Sequence, residues 1–285
     1  MIRTLPSSKT YKTSFSIFVV LYFIFLFAPL LITCILAFND SMFPSLPWKG
    51  FTLDWFTGSG EGGKIGIFND KINLRSIGVS FRVAFFVSIF STIVGTCAAF
   101  LFEQEEFRFK NLLYFLMLAP LVLPGVILGI SILLFTNSAG MFFEDKMNMY
   151  FSMLSPGFWL VVFGQFSFIT TFVALVVGAR LKKFDRTLEE AAYNLGANRL
   201  EVIWFITLKY LRPSIVGGAA VAFLMSFENF NTTLFLVGSQ ATLPITLYLQ
   251  VRDGSTPVIN AISFLLIVST SIFAVANLYF SKKEE

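Results

Sequence analysis

Six runs of predominantly apolar residues, at about 15–38, 73–102, 112–135, 158–179, 213–237 and 257–280, dominate this sequence of 285 residues. At 1.5 Å per residue, each is long enough to cross about 30 Å of hydrocarbon as a helix. No water reaches backbone N–H and C=O groups at that depth, so such spans must satisfy them internally. The chain is 56% hydrophobic and only 13% charged, with a mean hydropathy of +0.76. A soluble domain carries about twice that charged fraction. The expected fold class is therefore an all-α polytopic membrane protein with six transmembrane helices.

Several function classes fall away on composition. The pI is near 9.0, but Lys and Arg sit at the ends of the runs and form no single patch, so no nucleic-acid partner is expected. Cys34 and Cys97 lie inside runs and read as small apolar residues. With no histidine in the chain, metal–histidine sites and histidine proton relays are excluded. The first run is longer than a signal-peptide core and lacks a small-residue cleavage site, so it is expected to persist as a helix, bent near Pro29. Gly58 to Lys64 has the glycine spacing of a phosphate-binding loop, yet Ile65 stands where a magnesium-holding Ser or Thr belongs and no strand precedes it. A flexible turn is expected there, and no ATPase site in this chain.

Two polar stretches punctuate the runs. Between the first and second, Trp48 and Trp55 suit a membrane–water interface, and Thr52 caps a short helix. Between the fourth and fifth, residues 185–212 read as two short helices broken at Gly196. Thr187 with Glu190 spells one capping box, and Asn198 with Glu201 a looser one. Gly196 stands where the first helix must end in a left-handed residue. A loop lying on lipid would need a broad apolar face and a cationic one. Glu189, Glu190 and Glu201 dilute the positive charge and the glycine interrupts the stripe, so docking to a partner is the expected role.

Glu190-Ala191-Ala192, followed by Gly196, Ile206 and Leu208, resembles the EAA loop of ABC-importer permeases. Gly50 to Phe56 and the proline phrase Ala119 to Ser131 resemble the same family. Ser226 to Phe230, Thr242 to Ile245, and Arg252 to Pro257 with Asn260-Ala261 most resemble its spermidine/putrescine branch. The resemblance extends from about Phe15 onward. It implies a type I permease fold in a bacterial inner membrane, with Glu190, Ala191, Ala192, Gly196 and Ala197 docking on a cytoplasmic ABC ATPase dimer. ATP and magnesium would belong to that partner, and this chain would hold no cofactor. A second homologous permease in a heterodimer, a periplasmic or lipid-anchored solute-binding protein, and membrane lipid complete the implied partners. The implied solute is a polyamine such as spermidine or putrescine, the alternatives being a betaine, an amino acid derivative or ferric ion. Two positions depart from the pattern. Lys209 replaces a usual proline, with Pro213 expected to make the break instead, and Gly125 replaces the acidic residue that polyamine-type members carry after the third-span proline.

With the N-terminus inside, fourteen basic residues fall on inner segments against six on outer ones. The excess favours cytoplasmic termini and a cytoplasmic 185–212 hairpin. Glu228 lies near the middle of the fifth run, where an ionised carboxylate costs at least a few kcal/mol unless it faces a cavity or partner. Two readings stand. Glu228, with Asn229, Asn231, Phe227 and Phe230, lines a translocation path, the rings also attracting a cation. Alternatively it is a structural carboxylate bonded to Arg82 or to a sister subunit. An ion-coupled secondary transporter would favour paired mid-membrane ionisable groups and inverted repeats, neither of which is visible here.

Overall fold

The computed structural model describes residues 9–281 except Ser45 and Ser255. Three of the fourteen inner basic residues counted above, Arg3, Lys282 and Lys283, lie outside the described residues, as do most of the segments expected to be cytoplasmic at the two termini, 1–13 and 281–285. No strand occurs among the described residues, only isolated bridges at Asn39–Phe51 and Ser59–Ile65. The all-α expectation holds. The chain divides into two units, residues 1–74 with 249–285, and residues 75–248.

In the first unit, α1 (Lys9–Leu36) leaves almost all its apolar side chains exposed. A helix apolar on every side is stable only in lipid or a large core. Its end is anchored by an aromatic cluster in which Phe38 lies 5.2 Å from Phe56 and 5.0 Å from Phe264, the latter on α12 (Val258–Ser281). The following segment folds on Asn39, whose Oδ1 accepts from the Lys49 N–H at 2.8 Å. Trp55, on the helical turn α2 (Asp54–Thr57), is buried and donates its Nε1–H to the Asn39 carbonyl at 2.9 Å. The ring thus satisfies its N–H inside the segment, while Trp48 remains half exposed. Thr52 Oγ1 accepts from the Asp54 N–H at 3.1 Å, capping α2 from two residues back.

The glycine-rich loop is a turn with Gly60, Gly62 and Gly63 at positive φ. Lys64 is fully engaged there, paired with both Asp40 and Asp54 and 5.9 Å from the Trp55 ring. Hydrogen bonds from Thr52 and then Lys64 hold the Asp54 carboxyl below its ordinary range, and Asp40 followed by Asp54 pushes the Lys64 ammonium up.

The second unit takes in most of α3 (Lys71–Gln104) and the early part of α11 (Leu243–Gly254), with α4 (Lys110–Val122), α5 (Gly125–Met147), α6 (Phe158–Leu181), α7 (Thr187–Asn194), α8 (Arg199–Val202), α9 (Leu208–Phe227) and α10 (Thr233–Leu236) between them. Its centre is α6, whose buried Leu160, Val161, Val162, Ile169, Val173 and Val177 meet Val79, Val83 and Val87 of α3 and Leu211 and Ala222 of α9. Small residues permit close approach. A Cβ on Gly95 would sit 2.9 Å from the Thr170 carbonyl oxygen, and Ser88 Oγ donates across to the Ala219 carbonyl at 2.7 Å.

Among the described residues, five helices are long and apolar enough to cross a membrane. Two expected spans differ from the sequence reading. The run at 112–135 is two helices, α4 and α5, parted at Leu123–Pro124 where the backbone is extended. Pro124 cannot donate a helical hydrogen bond and forces its predecessor out of the helical region. The run at 213–237 is displaced: helix runs from Arg199 to Phe227 through a wider five-residue turn at Ile203–Thr207. Pro213 lies inside α9, so the break assigned to it is absent.

Gly129 tests this packing. A Cβ there would lie 2.7 Å from the Thr232 carbonyl oxygen and 3.3 Å from its Cα, backbone atoms that have no rotamer to change. Gly129→Leu is expected to lower the thermal unfolding midpoint in detergent by several degrees, an overpacking cost of about 1–3 kcal/mol. Gly78→Ala, which meets nothing within 4 Å, is expected to leave the midpoint unchanged or raised.

Candidate functional site

Two helix interruptions of the second unit meet each other. α9 ends at Phe227, the chain turns through Glu228–Thr232, and α10 resumes for one turn. The turn lies against the start of α5: a Cβ on Gly125 would be 3.0 Å from Asn231 Cβ and 3.3 Å from Thr232 Oγ1. The break after α4 therefore faces the break after α9. A side chain at Gly125 would crowd Asn231, which would have to shift by a few tenths of an ångström to admit it.

The turn is held by a buried polar chain that the sequence reading missed. Gln165 on α6 is fully buried; its Oε1 accepts from Ser226 Oγ, and its Nε2 donates to Thr233 Oγ1 at 2.7 Å. Thr233 Oγ1 in turn donates to Asn229 Oδ1 at 2.9 Å, and the same oxygen accepts the Thr233 N–H at 3.2 Å. Gln165 was detectable in principle as a lone amide inside the apolar run Phe158–Leu181, because an unsatisfied amide in hydrocarbon is costly.

Each expected path residue can now be located. Glu228 is not mid-helix: it is the residue that caps α9, and it is exposed. It lies about 24 Å beyond Arg212 along the helix at 1.5 Å per residue, still within a hydrocarbon thickness of about 30 Å. Its bond to Arg82 is not made; Arg82 Nε donates to its own helix at the Gly78 carbonyl, 3.3 Å away. Asn231 is exposed, while Phe227, Asn229 and Phe230 are half-buried. Phe230 packs against Tyr248 with centroids 5.0 Å apart, and Phe227 stacks on Phe223 at 6.1 Å. A carboxylate, the negative end of a 29-residue helical stretch and aromatic faces together favour a cation.

The 185–212 hairpin is built more firmly than its capping pattern implied. The Thr187–Glu190 box is not formed, because Thr187 is already helical; Asp185 Oδ1 accepts the Thr187 N–H instead at 3.0 Å, which draws the Asp185 carboxyl below its ordinary range. The Asn198–Glu201 box is complete, with bonds of 3.0 and 2.8 Å. Gly196 has φ +92°, its N–H bonds to the Tyr193 carbonyl at 2.9 Å and the Ala197 N–H to the Ala192 carbonyl at 3.0 Å. That is a Schellman closure, with Ala192 and Ala197 as its small apolar pair. Glu190 and Ala191 are exposed, beside Leu188, Tyr193, Leu195 and Leu200.

Side-chain ties bind this hairpin to its unit. Glu189 Oε1 accepts from Thr207 Oγ1 at 2.6 Å, reaching the wide turn at the base of α9. Arg199 pairs with Glu105, Arg186 Nη2 donates to the Glu103 carbonyl at 3.0 Å, and Lys182 lies 3.3 Å from Glu103. Arg180 donates to the Tyr210 carbonyl at 3.0 Å and stands 4.6 Å from the Tyr210 ring centre.

Comparison with known proteins follows the same lines. Residues 91–284 match the family described as the binding-protein-dependent transport system inner membrane component. The putrescine transport system permease protein PotI of Escherichia coli strain K12 is 32% identical over 271 residues, 94% of this chain and 91% of PotI. The spermidine/putrescine transport system permease protein PotC of the same strain is 27% identical over 261 residues, 91% and 90% of the two chains. A chain of a bacterial ABC transporter that imports the acidic polysaccharide alginate superposes with a TM-score of 0.67, covering 98% of this chain and 99% of its own at 14% identity. That last likeness speaks to the fold alone.

The tie between Glu189 and Thr207 has a measurable consequence. Thr207→Val keeps the side-chain shape and removes the hydroxyl donor. Amide hydrogen exchange across Thr187–Asn194 is expected to accelerate about tenfold or more, the equivalent of one lost hydrogen bond to a charged group.

Proposed function

This chain belongs to the family of binding-protein-dependent inner membrane transport components, and we propose that, as a permease subunit of an ABC importer, it moves a polyamine inward. Its place is in the inner membrane, crossed several times, and it works with an ATPase and a binding protein. The solute class is the proposed step. Its single strongest support is Glu228 at the C-terminal end of α9, where a carboxylate without a basic partner among the described residues stands at the negative end of the helix, with Phe227 and Phe230 close to it in sequence. The names of the two Escherichia coli relatives agree with it.

The cycle follows from the hairpin. Glu190, Ala191, Ala192, Gly196 and Ala197 form the surface presented to the ATPase dimer, which binds ATP and magnesium while this chain supplies no ATPase site. Exposed Leu188, Leu195 and Leu200 supply apolar area for that contact. The termini and hairpin face the cytoplasm, and a second homologous permease completes a heterodimer beneath a periplasmic or lipid-anchored binding protein. Closure of the ATPases displaces the hairpin. Because α8, the wide turn and α9 are one uninterrupted helix, displacement at Arg199 reaches Glu228. The hairpin must bind the two ATPase states with different free energy, or no shift between inward and outward forms follows.

Two measurements on the importer reconstituted with its ATPase and binding protein test this reading. Putrescine and spermidine are expected to stimulate uptake-coupled ATP hydrolysis where betaine does not. Glu228→Gln is expected to cut the maximal putrescine uptake rate about tenfold, the loss of one charge-assisted contact. An undiminished rate would remove Glu228 from the path. Gly196→Val places a β-branched residue at a positive φ. It is expected to abolish solute-stimulated hydrolysis while the subunit remains in the membrane, and full stimulation in that variant would contradict hairpin docking.

A further inference from the structure

We infer that Gln165 is the positioning residue of the solute path, fixing the Glu228–Thr232 turn by bonding to both of its flanks. The inference rests on the assignment of that turn to the polyamine path. Gln165 sits on α6, outside the segment it organises, and its two amide ends land on opposite sides of the helix break. Oε1 takes the Ser226 hydroxyl, which belongs to the last turn of α9; Nε2 reaches Thr233 Oγ1, the first residue of α10. The chain between those two anchors carries Glu228, Asn229, Phe230 and Asn231.

The hydrogens in this chain run in one direction only. Asn229 Oδ1 already accepts the Thr233 N–H, so the Thr233 hydroxyl spends its own hydrogen on that oxygen and must accept from Gln165. The amide nitrogen of Gln165 therefore faces Thr233, which leaves its oxygen for the Ser226 hydroxyl. No flipped arrangement satisfies all four groups. Ser226, Gln165 and Thr233 are 3%, 0% and 0% exposed, so their bonds are shielded from bulk solvent. Gly164, one residue before, lets Leu236 at the end of α10 lie directly on the α6 backbone, and the Gly157 N–H bonds to the Leu236 carbonyl at 2.9 Å. An amide needed only to fill a core could have bonded within its own helix. This one holds two strands of an interrupted helix at a set separation, and with them the spacing between Glu228 and the aromatic rings. Diamines and triamines of different length would sense that spacing.

The complete importer in lipid nanodiscs or proteoliposomes provides the test, comparing the native chain with Gln165→Met, which keeps the length and loses both polar ends. Hydrogen exchange across residues 228–237 is expected to accelerate about tenfold or more, since two buried bonds are lost together. The ratio of maximal uptake rates for putrescine and spermidine, at saturating binding protein, is expected to change about threefold or more. A merely structural role would lower both rates by the fraction of inactive protein and leave their ratio fixed. Ser226→Ala removes one anchor and keeps Gln165, so it carries the same test should Gln165→Met not assemble; its expected effects are smaller and of the same sign. Unaltered exchange across 228–237 overturns the positioning role. Accelerated exchange with an unaltered ratio overturns instead the placing of this turn in the solute path.

Discussion

A helix interrupted inside a membrane leaves donors and acceptors that neither lipid nor helix can satisfy. The second unit contains two such interruptions, at Leu123–Pro124 and at Glu228–Thr232, set against each other across Gly125 and Gly129. Neither could persist alone in hydrocarbon. What holds the second of them is the buried chain Ser226–Gln165–Thr233–Asn229, which bonds both flanks of the Glu228–Thr232 turn. The exposed Glu228 carboxylate is carried by backbone whose two flanks this chain of bonds ties to α6.

The opposite end of α9 meets a different requirement. A segment that receives force must be stiff and must be joined to what it moves. Stiffness comes from the Schellman closure at Gly196 and the Asn198–Glu201 box, both of which remove orphan backbone groups from the elbow. The joining comes from Glu189 to Thr207 and from the Arg199–Glu105, Arg186–Glu103 and Lys182–Glu103 contacts. The exposed surface pairs would contribute little singly, each about 0–1 kcal/mol. The Glu189–Thr207 bond differs because Thr207 is fully buried and lies in the wide turn Ile203–Thr207. Turns of that geometry loosen the helical ladder locally and are frequent at functional sites.

Much was legible in the sequence for reasons that are local. Hydrophobic run length, the scarcity of charge and the placing of Lys and Arg depend on transfer free energy alone, and they fixed the all-α membrane class. The glycine elbow and the Asn198 cap depend on backbone sterics and contacts three residues apart, so they too could be read directly. Where the sequence reading erred, two local rules competed. Thr187 and Asp185 both suit a cap, and Asp185 wins because the helix starts at Thr187. Pro213 and the Gly196 elbow both suit a break, and the chain bends only at the elbow while the wide turn and Pro213 are carried inside one helix.

The sequence by itself determined that this chain must live in lipid, that its helices carry a hinged polar hairpin, and which permease family it resembles. Tertiary structure alone decided that Glu228 ends a helix, that Gly125 lies against Asn231, and that Gln165 joins α6 to both sides of a break. Those outcomes turn on contacts between residues some sixty to one hundred positions apart. An apolar run gives no sign of which of its faces will meet another helix. A lone amide within it shows only that some partner must exist, and packing chooses which.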